Sequence, residues 1–195
     1  SYFSSYGAND NIMQCKQGLS NFFRSYFYFK SYDYKGNKPF KLKSFTAKEI
    51  AKMPEYYIMK LNLGMAQTVK KYSPSKIEVA RCAWLNEFDL AYYVRNYLNS
   101  GMKKPLSWYK VMLSKKEKLR IIKLNLPKSI YIPSIFISGS ADWGMYQKPG
   151  DLEKMENVFL KNYYGRFIIK QAGHWVQQEK PNETFNLILR FLKKI

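Results

Sequence analysis

The sequence is poor in the residues that build cross-linked or metal-bound folds. It has two cysteines, Cys15 and Cys82, and neither belongs to a CxxC pair or shows the spacing of metal ligands. The sequence therefore indicates neither a disulfide framework nor a zinc site, and a reducing, cytoplasmic setting is the default expectation. Only one histidine occurs, so chemistry that needs an imidazole depends on His174.

Long apolar runs are also missing. The longest, 130–137, is interrupted by Pro133 and Ser134 and is far short of the ~20 residues that cross a bilayer. Residues 1–5 have neither the basic stretch nor the apolar stretch of a signal peptide. We therefore expect no membrane-spanning segment and no membrane partner.

Acidic residues are few, 14 against 33 basic ones, which gives a formal net charge of +19. A surface of this kind attracts polyanions. However, only six of the basic residues are arginine, the residue suited to bidentate phosphate contacts, and the lysines are scattered. We therefore do not expect a nucleic-acid partner. A non-catalytic basic scaffold that binds an anionic partner such as RNA is kept as an alternative.

The apolar and aromatic contents, 46% and 17%, are sufficient for one sizeable core. Before residue 127 the apolar spacing predicts mainly helices. An aromatic stripe predicts a helix over Leu19–Phe27, and a capping box formed by Thr46 and Glu49 predicts the start of another. A third is predicted between Asn86 as N-cap and Gly101 as the residue just past its end. Further helices are predicted over 64–72 and 105–112.

After residue 127 the pattern alternates between strand and helix. The predicted elements are a buried strand over Ser134–Gly139, a loop over 140–150, a helix marked by Leu152, Met155 and Phe159, a second strand over Arg166–Lys170, and a final helix from Pro181. Strand, helix, strand, helix is typical of a parallel sheet covered by helices.

An acid and a base follow the two predicted strands. Asp142 comes shortly after the first strand and His174 shortly after the second. The carboxyl ends of parallel strands meet at one edge of a sheet, so we expect these side chains to lie together. Acid first and base second is the order in which α/β-hydrolases deliver their triad after the nucleophile. The carboxylate would then orient the imidazole.

Several segments resemble the epoxide hydrolase and related α/β-hydrolase family. They are Leu106–Tyr109, Asp142–Gly144, Ala172–Trp175, Gln178–Pro181 and, at the place of a second cap tyrosine, Tyr2-Phe3. The resemblance covers essentially the whole chain. It implies an α/β class and a partial α/β-hydrolase fold. Residues 1–126 would form a helical cap (lid), and residues 127–195 would contribute the last two parallel strands of the core with their flanking helices.

In that family an aspartate attacks an epoxide carbon to give an alkyl-enzyme ester, which a histidine-activated water hydrolyses to a diol. The resemblance implies that Asp142 is the triad acid, His174 the base, and Tyr109 and Tyr2 the donors to the oxirane oxygen. It implies a small apolar epoxide as substrate and neither metal nor organic cofactor. A haloalkane dehalogenase or another cap-bearing hydrolase, which shares the acid and base but not the tyrosine pair, is the alternative enzyme.

The family's nucleophile and oxyanion segment precede the cap, and neither occurs in this sequence. We therefore expect the chain to be inactive without an N-terminal half. The chain is a slice of a longer protein, a split-gene product that pairs with a separately encoded N-terminal half, or a decayed remnant, and the sequence does not choose between these alternatives. Two strands leave apolar faces and edges of the sheet uncovered, so the chain alone should be poorly stable and prone to aggregate.

Overall fold

Helices fill the first two thirds of the chain, and both strands lie in the last third. The computed structural model describes residues 2–5, 7–124 and 126–195. The helices of the first part are α1 (Ala8–Met13), α2 (Leu19–Lys30), α3 (Ala47–Ile50), α4 (Met65–Lys70), α5 (Lys76–Arg81), α6 (Glu87–Ser100), α7 (Lys103–Leu113) and α8 (Lys115–Lys123). They are followed by β1 (Ser134–Gly139), α9 (Asp151–Lys154), β2 (Tyr163–Ile169), α10 (Val176–Glu179) and α11 (Pro181–Leu192).

The aromatic stripe of α2 forms the centre of the main core. Phe22, Phe23 and Phe27 are all buried, and α2 packs against both α4 and α6. Burying one such side chain contributes roughly 1.5–3 kcal/mol, so this stripe is a large part of what holds the helical layer together. The helix predicted from this spacing is confirmed and extends to Lys30.

Two predicted caps have different outcomes. The Asn86 side chain accepts a hydrogen bond from the backbone N–H of Asp89 at 2.9 Å, as expected of an N-cap. The prediction of a capping box at Thr46 is wrong, although α3 does begin directly after this residue. The Thr46 hydroxyl is instead hydrogen-bonded to that of Ser44, and Glu49 accepts from the backbone N–H of Lys43.

The two strands form a parallel sheet, with Phe136 opposite Arg166 and Gly139 opposite Ile169. The first strand has the predicted bounds. The second spans Tyr163–Ile169 rather than the predicted Arg166–Lys170. Its pairing with β1 is irregular between Tyr163 and Arg166, where Gly165 has a φ of +120°. The strands are only half-buried over most of their length, so the expected burial of β1 on both faces holds only at its carboxyl end.

The predicted helix around Met155 is real but irregular. After the four residues of α9, the turn Met155–Phe159 widens to π-helical spacing, and the N–H of Leu160 donates to the carbonyl of Met155. The final helix, α11, begins at Pro181 as predicted.

Apolar side chains are exposed around the sheet. Examples on β2 and α11 are Ile168, Phe185, Ile188, Leu189 and Leu192. Large apolar side chains exposed in such number are typical of surfaces that another part of a fold covers. No helix among the described residues combines the length and the apolar content that crossing a bilayer requires.

Candidate active site

The carboxyl ends of the two strands bring two loops side by side. Beyond the sheet, the N–H of Ser140 donates to the carbonyl of Ile169, and that of Ala141 to the carbonyl of Ala172, each at 2.9 Å. A Cβ added at Gly139 would lie 2.2 Å from the carbonyl oxygen of Gly173. Only glycine fits at 139, and this close approach places the loop after β1 against the loop after β2.

Asp142 and His174 meet at this edge. The Asp142 Oδ1 lies 3.0 Å from the imidazole Nδ1, and the same carboxylate oxygen accepts from the N–H of Gly144 at 2.8 Å. A carboxylate at Nδ1 fixes the tautomer that carries its proton there and leaves Nε2 as the basic nitrogen. The sequence-predicted pairing of these side chains is therefore present in the geometry.

The carboxyl group of Asp142 is held in its ionised form. Burial raises the pKa of Asp142. The hydrogen bond and charge of His174, together with the N–H of Gly144, lower it by more, so the net pKa lies below its ordinary value. Its side chain is 15% exposed, and that of His174 is 32% exposed. The imidazole thus has an ionised partner on one side and an accessible side.

Glu179 clamps the loop that carries His174. Its carboxylate accepts three backbone N–H groups, those of Tyr32 at 2.8 Å, Gly173 at 2.9 Å and Trp175 at 3.0 Å. Burial nevertheless raises the pKa of Glu179 above its ordinary value. Sequence reasoning gave Glu179 no role of its own, although it lies in the Gln178–Pro181 segment that carries part of the family resemblance.

The carboxyl end of α2 is bonded to the same loop. The His174 N–H donates to the carbonyl of Lys30 at 3.0 Å, and the Trp175 indole N–H donates to that of Phe27 at 2.9 Å. A Cβ at Gly173 would lie within 2.5–2.7 Å of backbone atoms of residues 30–32. The helical layer and the base are therefore in direct main-chain contact.

Tyr109 lies on α7 in the wall of an aromatic pocket of about 400 Å³, which also includes Tyr26 and Trp175. Its ring stacks on Phe3 with 4.7 Å between centroids, and burial raises the pKa of its hydroxyl. Tyr109 is therefore a neutral phenol, able to donate a hydrogen bond. Trp175 connects this pocket to the acid–base pair, because its ring lies 4.9 Å from that of His174.

Tyr2 is placed differently from Tyr109. Its hydroxyl donates to Asn11 Oδ1 at 2.5 Å and lies 3.4 Å from the carbonyl of Ala8. Within the described part of the chain, no hydrogen bond joins Tyr2 to Asp142, His174 or Tyr109. Its predicted role as the second donor stays a prediction.

Sequence reasoning missed Lys30, which is only 7% exposed at the end of α2. A signal for it existed, because position 30 continues the buried stripe of Phe23, Tyr26 and Phe27 by one more helical step. A lysine at such a position is unusual, since an isolated buried charge is strongly disfavoured.

Known proteins were compared with the chain, and no family model matches it. Epoxide hydrolase B of Mycobacterium tuberculosis is 36% identical over 110 residues, which are 56% of this chain and 30% of that protein. Bifunctional epoxide hydrolase 2 of Rattus norvegicus is 29% identical over 109 residues, 55% of this chain and 18% of that protein. The matched part of the chain thus corresponds to less than a third of each of these relatives.

Solved structures resemble the chain over nearly its whole length. An epoxide hydrolase from an endophytic Streptomyces superposes with a TM-score of 0.71 at 21% identity, covering 99% of this chain and 50% of that one. A laboratory-evolved variant of potato epoxide hydrolase gives 0.67 at 19% identity, covering 100% and 52%. The chain spans about half the length of these structures. The superpositions establish the fold of the chain. Together with the sequence relatives, they identify the chain as an epoxide hydrolase-like protein with part of an α/β-hydrolase fold.

Proposed function

We propose that this chain is the cap and the C-terminal catalytic portion of an epoxide hydrolase. The observation that supports it most is the 3.0 Å contact between Asp142 and His174 at a shared sheet edge, directly beneath the carboxyl end of α2. The division into a cap over 1–126 and a core segment over 127–195 belongs to the same proposal. So do a cytoplasmic setting and a small apolar epoxide as substrate.

The reaction would proceed through two covalent steps. A carboxylate from the missing half attacks an epoxide carbon, the carbon–oxygen bond of the ring breaks, and an alkyl-enzyme ester forms. The alkoxide left on the substrate takes a proton from a tyrosine hydroxyl or from water, and the proton released in the second step replaces it. His174, oriented by Asp142, then removes a proton from water, and the hydroxide attacks the ester carbonyl. The diol leaves and the carboxylate is regenerated, so no metal or organic cofactor takes part.

Tyr109 would stabilise the charge that develops on the oxirane oxygen. A donor aimed at such an oxygen acts in the transition state more than in the ground state. The neutral phenol of Tyr109 in an aromatic pocket supports this role and the choice of an apolar substrate. Tyr2 would be the second donor, which requires its hydroxyl to exchange Asn11 for the substrate.

The missing half would bind the apolar face around β2 and α11. The exposed apolar side chains of Ile168 on β2 and of Phe185 and Leu189 on α11 support such a partner, whether it precedes this segment in one polypeptide or is a separate chain. The nucleophile and the oxyanion groups would come with it. We accordingly expect no turnover from the chain alone.

The test is reconstitution. The chain is combined with the N-terminal half of one of the matched relatives, co-purification verifies association, and diol formation from styrene oxide is measured. The associated pair should turn over, and His174→Gln should reduce the rate by roughly 10²–10⁴-fold. A stable complex with no diol above background would refute the proposal.

Tyr109→Phe separates the two enzyme classes. For an epoxide hydrolase it should reduce the rate roughly 10²-fold, while Tyr92→Phe, at an exposed tyrosine of α6, should change little. Release of halide from a haloalkane that is unaffected by Tyr109→Phe would favour a dehalogenase. Binding to RNA that weakens steeply with salt, without any turnover, would favour the basic scaffold.

A further inference from the structure

A buried lysine lies behind the candidate site. Lys30 Nζ is 5.1 Å from the ring centroid of Trp175, 5.2 Å from that of Tyr26, and 5.6 Å from those of Tyr56 and Tyr57. Among the ion pairs formed by described residues, none includes Lys30. Four aromatic faces therefore surround the ammonium in place of water and of a directly bonded carboxylate.

The carboxylate that acts on this ammonium is Asp142. Burial lowers the pKa of Lys30 to about 8, and the charge of Asp142 opposes that change. Conversely, the charge of Lys30 helps to lower the pKa of Asp142. Lys30 is thus mostly protonated at pH 7, and the two charges stabilise each other.

The other titratable groups around Lys30 do not compensate its charge. Burial raises the pKa of Tyr26, Tyr56 and Tyr57 far above neutrality, so all three phenols are uncharged. Near the end of α2, Asp33 accepts the indole N–H of Trp84, and Glu179 accepts three backbone N–H groups.

The main chain of Lys30 is also fixed relative to that of His174, because the carbonyl of Lys30 accepts the backbone N–H of His174 at 3.0 Å. We propose that Lys30 is a positioning residue of this site, whose buried ammonium stabilises the Asp142 carboxylate and opposes a second positive charge on the neighbouring imidazole. The functional meaning rests on the proposed hydrolase activity, but the electrostatic effect is measurable without it.

The experiment uses the single histidine of the chain. Hydrogen–deuterium exchange at the imidazole C2 position, followed by mass spectrometry, gives the titration midpoint of His174 in dilute solution. In Lys30→Met the midpoint should move upward by about half a pH unit or more, because a nearby like charge has been removed. Lys30→Gln, which is neutral but keeps a polar end, should move it in the same direction.

Lys35→Met is the matched control. Lys35 also lies over a tyrosine ring, 5.3 Å from that of Tyr32, but it is exposed, so its removal changes the net charge equally without changing the site. A midpoint in both Lys30 variants equal to that of Lys35→Met would overturn the inference. If the midpoint of His174 shifts upward but the reconstituted complex forms no diol, the role of Lys30 is supported and the proposed function is rejected. If the complex forms diol but the midpoint does not shift, the proposed function is supported and the role of Lys30 is rejected.

Discussion

Substituting Gly173 by alanine should break the contact between the helical layer and the loop that carries the base. A Cβ at this position would lie 2.5 Å from the backbone carbon of Ser31, 2.6 Å from the backbone nitrogen of Tyr32 and 2.7 Å from the carbonyl oxygen of Lys30. All three are main-chain atoms, so no side-chain rotation relieves the clash. The end of α2 and the loop must move apart.

The expected loss of stability has two parts. Overpacking that forces a backbone shift costs about 1–3 kcal/mol. Separation also weakens the hydrogen bonds from His174 N–H to Lys30 and from Gly173 N–H to Glu179, each contributing about 1 kcal/mol. We expect a decrease of about 3–5 kcal/mol in the free energy of unfolding, a large share of the ~5–15 kcal/mol of a typical domain.

Urea denaturation followed by tryptophan fluorescence measures this difference. Gly7→Ala is the control, because a Cβ there has no atom within 4 Å and the backbone φ is −79°. Gly7→Ala should be within about 0.5 kcal/mol of the parent, as an unstrained surface change is. If Gly173→Ala also lost less than about 1 kcal/mol, the close packing inferred at this position would be wrong.

Three further changes have defined outcomes. The pKa of Lys30 in the folded chain, about 8, lies below its ordinary value of 10.5, so the unfolded chain binds more protons between these values and stability should rise as pH increases through that window. Lys30→Met should remove this slope, as measured by urea denaturation at several pH values, and a slope equal to that of the parent would contradict the assignment. Glu179→Gln should lower stability by about 1–3 kcal/mol in thermal denaturation, because an amide oxygen cannot accept all three N–H groups, and an unchanged midpoint would contradict the clamp. Asn86→Ala should cost about 1 kcal/mol through loss of the N-cap of α6, whereas Asn96→Ala, at an exposed site on the same helix, should not reproduce that loss.

The spacing of apolar residues and the capping residues predicted those helices and strands that have regular backbone geometry. The stripe of α2, the caps of α6, strand β1 and the start of α11 all follow from spacing or from a capping residue. The start of β2 was predicted three residues late, next to the irregular pairing near Gly165, and the π-helical spacing of the turn at Met155 was not predicted, although the helix itself was. Helix α5 was missed although Ser75 and Glu78 have the spacing of a capping box and form one.

The site was predictable to the same extent. Asp142 and His174 follow from the rule that parallel strands release their loops at one edge, which requires only the order of elements along the chain. The stripe of α2 indicates that Lys30 is buried, but its place behind the acid–base pair, like that of Glu179, depends on how α2 packs against the last loop, and no local pattern specifies that packing. The bonding of Tyr2 to Asn11 is likewise a tertiary contact between polar groups that carry no periodic signal.

The main-chain bond between α2 and the loop of His174 has a mechanical consequence. A displacement of α2 would carry the backbone of His174 with it and disturb the contact between the imidazole and Asp142. Helix α7, which carries Tyr109 and the exposed Trp108, forms another wall of the aromatic pocket, and a displacement there would leave that hydrogen bond of α2 intact.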